Sequence, residues 1–385
     1  MRILYVISEL SLGGAEKQLV ELAKEMVRRG HEVTIYTLNR EVPRKAELAG
    51  SAVRLIVDQK QSRLDLALLR RLRRTIDSWQ PDIVHGFLFD GDFYARVAAC
   101  GTGIPVLNSE RSSNYRLSLV QKVSHLLTRR LADGVVANTY VGRDFAQGLF
   151  GLSPADVHVA WNGVSLPEIE RNAVAVDDHR LTYFGPGSHR VACLVGAIRP
   201  TKDYHLALAV AAQLIADDPC WRVLFVGDKL ADVGGTTYRS GSVTEAYKDE
   251  VLRHYAQLGL SDKIKFTGLR TDVPAIVRQC DVLYITSVHE GFPNVVLEAM
   301  ALGVPVVSTE YSDIRRILPF PWQVVASRAP GEIASAMRRA HEQRELLATA
   351  QRSWVEANAT IEKATAQLER IYRRYVRPES CAAFS

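Results

Sequence analysis

Ser287-Val288-His289-Glu290-Gly291-Phe292-Pro293-Asn294-Val295-Val296-Leu297-Glu298-Ala299-Met300-Ala301-Leu302-Gly303-Val304-Pro305-Val306-Val307 reads as a turn, a short helix and the entry to a strand. The apolar run just before it, 282–286, predicts another strand. Glu290 and Gly291 fall in the turn. Pro293 suits the first helical position, where its missing N–H has no intrahelical partner to lose. Gly303 stops the helix immediately before the next strand. A strand, a turn, a helix and a strand in so short a span form the unit of a parallel sheet. The amino end of the helix, with open amides expected from Asn294 through Val295 to Val296, favours negative charge through its oriented donors and its dipole. It therefore suits a diphosphate. Glu298, near the first turn, can accept hydrogen bonds from ribose hydroxyls. Glu290, in the preceding loop, can reach a sugar held against the helix end.

Outward from this stretch the same alternation fills the chain. Strand-like runs fall at 3–8, 32–37, 53–57, 82–85, 105–108, 134–137 and 157–160. Helix-period segments fall at 15–29, 65–78, 92–100, 115–131 and 141–149. Leu19, Leu22, Ala23 and Met26 mark one face of the first helix. The rhythm lapses over 164–188, where Pro167, Gly185, Pro186 and Gly187 stand among charged residues, and this segment reads as a linker. A second series follows, with strands at 191–195, 222–226, 264–267, 282–286 and 304–308. Its helices are expected at 203–216, 244–259, 272–279, 293–302 and 330–350, and a last helix at 356–376 is placed to return to the first domain. The Gly-, Ser- and Thr-rich stretch 228–245 reads as a long loop. The expected organisation is a Rossmann-like domain over 1–165, a linker over 166–188, a second Rossmann-like domain over 189–355, and a crossover helix and tail over 356–385. Two doubly wound α/β domains would set their strand carboxyl ends, and any ligand crevice, facing each other across a cleft.

Composition agrees with two ordinary globular domains. The 385 residues are 47% hydrophobic and 24% charged, with no low-complexity tract. Met1-Arg2-Ile3-Leu4-Tyr5-Val6-Ile7-Ser8-Glu9 is interrupted by a carboxylate too soon for a secretory leader, and no run approaches the ~20 apolar residues of a membrane span. The five cysteines are scattered without a CxxC pair, which fits a reducing cytoplasm and suggests neither disulfides nor zinc. Residues 1–165 hold 22 Lys and Arg against 17 Asp and Glu, so they carry the whole net charge of +5. The runs Arg70-Arg71, Arg73-Arg74 and Arg129-Arg130 are either solvated helix faces or a patch for an anionic membrane surface. The second reading makes the protein peripheral on the inner face of the cell membrane. No interleaving of aromatic and basic residues supports nucleic-acid binding.

The 287–307 text resembles the family-4 retaining glycosyltransferases of the GT-B fold (glycosyl transferases group 1), which carry two glutamates eight residues apart in a strand–turn–helix setting. Here they are Glu290 and Glu298, with Gly291-Phe292-Pro293-Asn294 and Glu298-Ala299-Met300-Ala301 around them. The resemblance extends to Leu12-Gly13-Gly14-Ala15-Glu16-Lys17, to Pro81-Asp82-Ile83-Val84-His85, to Asn162-Gly163-Val164, to Gly196-Ala197-Ile198-Arg199-Pro200-Thr201-Lys202 and to Phe266-Thr267-Gly268-Leu269-Arg270. It implies transfer of a sugar from a nucleoside-diphosphate sugar, UDP- or GDP-linked, to a saccharide or lipid-linked saccharide in surface polysaccharide or glycoconjugate synthesis. No cofactor or metal is implied. Lys202, with Arg199 in place of the usual neighbouring arginine, would meet the diphosphate, and Arg270 the base. Gly13 and Gly14 would admit the donor and acceptor, although tight-turn geometry accounts for them equally well. His85 is either a group near the acceptor or a structural histidine.

Two departures from the family pattern stand out. Ser109-Glu110-Arg111-Ser112 replaces a histidine near the reacting centre, which makes Glu110 a candidate base or one half of a salt bridge. Tyr311-Ser312-Asp313 replaces a paired glycine. The lone Asp-x-Asp, Asp90-Gly91-Asp92, reads as a helix start. Two alternatives share this architecture: a sugar-nucleotide epimerase or phosphorylase, and a non-catalytic nucleotide-sugar-binding protein.

Overall fold

The computed structural model describes residues 1–62, 64–111, 118–174, 177–187, 189–227 and 242–376. The chain forms two compact units: Met1–Gly163 with the segment from Ala359 onward, and Val164–Asn358. Each is built on one sheet of parallel strands. The first unit holds β1 (Arg2–Ile7), β2 (Glu32–Thr37), β3 (Arg54–Val57), β4 (Ile83–Phe87), β5 (Val106–Glu110), β6 (Gly134–Ala137) and β7 (Val157–Val159), in the order β3-β2-β1-β4-β5-β6-β7. The second holds β8 (Arg190–Val195), β9 (Trp221–Val226), β10 (Ile264–Gly268), β11 (Val282–Ile285), β12 (Val306–Thr309) and β13 (Val324–Val325), in the order β10-β9-β8-β11-β12-β13. Both orders reverse direction at the first strand of the unit, which is the doubly wound Rossmann-like arrangement. The fold class expected from the alternation is the one observed.

Burial explains why the strands read as unbroken apolar runs. Helices cover both faces of each sheet, so β4 and β5 are buried at every position. In the helix Gly14–Arg28 the stripe Leu19, Leu22, Ala23 and Met26 is buried, as its spacing predicts. The helix Leu88–Ala99 starts two residues before Asp90. Asp90 therefore sits in its first turn and Asp92 in its second, rather than either residue opening it. Gly91 is required by the approach of that helix to β1, because a Cβ there would lie 2.4 Å from the Val6 carbonyl oxygen. Asp92 is buried and accepts a hydrogen bond from the Ser109 amide at 3.2 Å. Burial first, and then Glu110, push its carboxyl well above the usual range.

The structure departs from the expected elements in several places. Residues 166–188 carry the helices Leu166–Asn172 and His179–Phe184 and belong to the second unit. Arg180 ties this segment to Asp281 at 3.0 Å, and Glu170 ties it to Arg278 at 2.6 Å and to Arg352 at 2.8 Å, contacts that its loop-like composition conceals. The helix expected over 330–350 is two, Pro330–Glu342 and Arg344–Asn358, divided at Gln343. The two-residue β13 is too short to give a periodic signal. Residues 228–241 of the expected long loop lie outside the described residues, and the helix Ser242–Leu258 follows them. Cys100, Cys193, Cys220 and Cys280 are free thiols, and Cys381 lies outside the described residues. Among the described residues no helix is long and apolar enough to cross a membrane.

The helix Ile361–Tyr372 returns to the first unit, where Ile361, Leu368, Ile371 and Tyr372 join the apolar core beside Tyr5 and Leu19. A buried carboxylate fastens it. Glu369 receives Arg29 at 2.7 Å and Arg373 at 2.6 Å, and His31 stands 3.5 Å away. Burial alone would raise its pKa, but hydrogen bonds from Arg373 and Arg29 outweigh burial and hold it down to about 2. A depressed carboxyl stabilises the fold above its unfolded pKa and ceases to do so as pH falls through the folded value. Glu369→Gln is expected to lower the unfolding free energy by about 1–3 kcal/mol at neutral pH. That deficit should shrink as pH falls from the ordinary glutamate range toward 2, as read by chemical denaturation across pH. Gly91→Ala is expected to cost about 2–3 kcal/mol in the same assay, from overpacking against β1.

Candidate active site

In the second unit β8 and β11 lie side by side, paired at Val282–Ala192 and Leu283–Cys193. The loops after their carboxyl ends are stitched together. The Val288 amide donates to the Thr201 carbonyl at 2.8 Å, and the Thr286 hydroxyl donates to the Lys202 and Asp203 carbonyls at 2.8 and 3.2 Å. Arg328 closes the back of the junction, on the Asp203 carboxylate at 2.6 Å and the Thr286 carbonyl at 2.8 Å. These bonds bring Lys202 and Glu290 into a direct ion pair. The same Glu290 oxygen accepts from the Ser287 hydroxyl at 2.7 Å. Gly196 leaves room for the lysine: a Cβ there would stand 3.0 Å from Lys202 Cε, and its φ of +153° suits glycine. A cation, a carboxylate and a hydroxyl thus meet at the carboxyl edge of the sheet, where open α/β folds bind ligands.

The helix Asn294–Ala301 begins beside them. Pro293 is its cap rather than its first residue, and it supplies the carbonyl that receives the Val296 amide at 3.0 Å. The Asn294 amide donates to Phe292 at 3.1 Å. Two of the three amides expected to be open therefore close the turn, and the Val295 amide is left without a partner among the described residues. Phe292 and Val296 are buried, Gly291 and Asn294 are half-buried, and Glu298 sits half-buried in the second turn. Arg199 is exposed, three residues before Lys202, and makes no ion pair among the described residues. Arg270 is held by Asp272 in two bonds of 2.8 and 2.6 Å. It follows β10, two places from β8, or about 10 Å by strand spacing, so it does not join the Lys202–Glu290 group.

In the first unit His85 centres a polar cluster with Tyr372, Ser109 and Arg111. His85 is fully buried. Its Nδ1 lies 2.5 Å from the Tyr372 hydroxyl and its Nε2 2.8 Å from the Ser109 hydroxyl. Burial, reinforced by the Arg111 charge, drives its pKa well below the usual range, so it is neutral. Both nitrogens are engaged, and His85 ties the returning helix to β4 and β5 instead of facing solvent. Arg111 donates to Asn162 at 2.9 Å and lies over the Phe87 ring at 4.7 Å. Burial brings its pKa down to about 10. Glu110, at the end of β5, is buried. Gly13 caps the helix Gly14–Arg28, but a Cβ on it would fall 2.2 Å from a Glu16 carboxylate oxygen. The Glu16 carboxylate, hydrogen-bonded to Ser11 at 3.0 Å, already occupies the space that the paired glycines were expected to leave open.

With this geometry in view, two family profiles divide the chain between them. Glycosyltransferase Family 4 matches residues 12–167, and Glycosyl transferases group 1 matches residues 183–354. The chain is a GT-B glycosyltransferase of family 4. A D-inositol 3-phosphate glycosyltransferase from Streptosporangium roseum is 26% identical over 337 residues, covering 79% of this chain and 74% of that protein. The putative glycosyltransferase EpsF of Bacillus subtilis is 24% identical, covering 80% and 79%. Among solved structures, Anabaena HepE in complex with UDP-glucose superimposes with a TM-score of 0.78 at 20% identity, over 97% of this chain and all of that one.

In this glycosyltransferase several contributors carry no pattern of their own. Ser287 lies inside the diagnostic text but is unremarkable as a residue type, and Arg328 and Thr309 come from distant segments. Thr309 donates to the Ser287 carbonyl at 2.8 Å and braces the Glu290 loop from β12. Tyr311, just beyond, is buried, and its ionisation is suppressed first by burial and then by the Glu290 charge. Ser312, where the family has glycine, holds a left-handed φ of +44°, and its buried hydroxyl has no partner. That backbone state disfavours any residue with a Cβ, and the unpaired hydroxyl adds a desolvation cost. Ser312→Gly is expected to stabilise the second unit by about 1 kcal/mol, after allowance for glycine's larger unfolded-state entropy. Calorimetry should register this as a rise in melting temperature.

Proposed function

We propose that this glycosyltransferase moves a sugar, with retention at the anomeric carbon, from a nucleoside-diphosphate sugar held by the second unit to a saccharide or lipid-linked saccharide held by the first. The observation that carries the reading is the Lys202–Glu290–Ser287 group at the joined ends of β8 and β11, beside the amino end of Asn294–Ala301. A diphosphate offers Lys202 a more highly charged partner than Glu290. Its arrival draws the ammonium away and frees the carboxylate to accept hydrogen bonds from the sugar. As the bond from the anomeric carbon to the diphosphate oxygen breaks, charge grows on the leaving group. Lys202, Arg199 and the Val295 amide stabilise it there, and no metal is called on. The acceptor hydroxyl forms the new bond on the same face and gives its proton to the departing phosphate oxygen. Glu298 holds the ribose and Arg270 stands nearer the base. In the first unit, His85 and Arg111 hold the frame on which the acceptor docks, and Glu110, buried at the end of β5, belongs to that frame. HepE structures holding UDP, glucose and UDP-glucose support a UDP-sugar as the first donor to test.

The relatives named D-inositol 3-phosphate glycosyltransferase favour a second reading for the acceptor alone, a small phosphorylated polyol. Product formation from a panel containing inositol phosphate and saccharide acceptors separates the two.

UDP-sugar is expected to raise the melting temperature of the wild type, because a ligand bound only by the folded chain stabilises it. Lys202→Ala should abolish most of that rise and lower kcat roughly 100- to 1000-fold. Glu290→Ala should keep nucleotide binding and lose turnover on the same scale. Unchanged turnover in Glu290→Ala removes it from the mechanism. Conversion of the donor with no acceptor present identifies an epimerase instead, and an inverted product anomer refutes retention.

A further inference from the structure

In the first unit the helix Leu119–Thr128 is amphipathic the wrong way round. Its one buried residue is His125, which meets the Leu149 carbonyl at 3.2 Å and the Phe150 ring edge-on. Thr128 on the same side receives Arg96 at 3.0 Å. The polar side of the helix thus faces the protein. Leu119, Val120, Val123, Leu126 and Leu127 face outward, with Leu119 and Leu127 each 78% exposed, and Leu131 continues the patch. At 3.6 residues per turn the five helical positions fall within an arc of about 120°. A surface helix ordinarily turns such a stripe toward the core. Apolar side chains gathered on one exposed face mark a surface that is covered by something else.

The charge around the patch says what covers it. Between Glu110 and Asp133 the sequence contains no carboxylate but has Arg111, Arg116, Lys122, Arg129 and Arg130. Of the described ones, Lys122 and Arg130 are exposed, and Arg129 is anchored to the Leu149 carbonyl at 3.0 Å. A second copy of the chain paired about a two-fold axis would set these cations against their own images. We infer that Leu119–Thr128 is an interfacial helix that docks on an anionic lipid bilayer, with its leucines and valines in the acyl boundary and Lys122, Arg129 and Arg130 at the phosphate level. Such docking brings the enzyme to acceptors carried on lipid, and it does not depend on the donor chemistry proposed above. Leu66 and the neighbouring Arg70 and Arg74 are exposed too, but Leu68, Leu72 and Ile76 of that helix are buried, so its apolar stripe is already packed into the core.

The test is flotation of the full chain with vesicles of equal parts phosphatidylglycerol and phosphatidylcholine, against vesicles of phosphatidylcholine alone. The wild type is expected to partition at least about tenfold more strongly onto the anionic vesicles at low salt and to be released as salt is raised. Leu126→Gln with Leu127→Gln should lose about tenfold or more of that binding. Lys122→Gln with Arg130→Gln should lose roughly fivefold per charge removed. All four side chains are exposed, so the melting temperature and turnover of a water-soluble acceptor should stay at wild-type values. Equal binding to both vesicle types, or a leucine variant that binds like wild type, overturns the proposal. So does a wild-type dimer that the leucine variant converts to monomer, because the occupant is then a second copy.

Discussion

Lys202 and Glu290 are 88 residues apart in the chain, and their ion pair exists because β8 and β11 lie next to each other in a parallel sheet. The pairing of those strands puts two loop exits at one edge. Thr286, Val288, Thr201 and Arg328 then fasten the loops to each other, so that the two charges meet with little freedom. An exposed pair held by long side chains would contribute little to stability. Here the backbone stitching has already met the cost of ordering, and the Ser287 hydroxyl holds the same carboxylate oxygen in place. The neighbouring helix adds less than its position suggests, since Pro293 and Phe292 use two of its leading amides to make the turn.

The first unit is organised around burial of polar groups instead. His85, Tyr372, Tyr5, Ser109, Arg111 and Asn162 form a connected network at the carboxyl ends of the central strands. Low dielectric makes such a network costly unless its members are paired, and specific when they are. Its effect is to weld the returning helix Ile361–Tyr372 to β4 and β5. Glu369, with Arg29 and Arg373, fastens the same helix about one turn earlier. A residue that looks catalytic by type, His85, is thereby committed to architecture, and Arg111 reaches the same Ser109 hydroxyl at 3.4 Å.

Much of this organisation was legible before any coordinates. Strand and helix periods differ, and buried parallel strands give unbroken apolar runs. Both sheets, and nearly every long helix, could therefore be placed within a few residues. Where sequence pattern and structure differ, local composition hides tertiary contacts. Residues 166–188 look like a linker because Pro, Gly and charged residues dominate them, yet Glu170 and Arg180 find partners in the second unit that no local pattern encodes. Ser312 presents the reverse problem: the departure from glycine was visible, but its left-handed backbone and orphaned hydroxyl were not.

The amino-acid sequence by itself determined the two Rossmann-like sheets and the strand–turn–helix text around Glu290, because periodicity and turn chemistry are short-range properties. Only the tertiary structure decided which charges meet. It set Lys202 on Glu290, locked His85 between Tyr372 and Ser109, filled the Gly13 turn with the Glu16 carboxylate, and turned the apolar side of Leu119–Thr128 outward. Each of these depends on which strands and helices become neighbours, and that is fixed by packing of the whole unit rather than by any window along the chain.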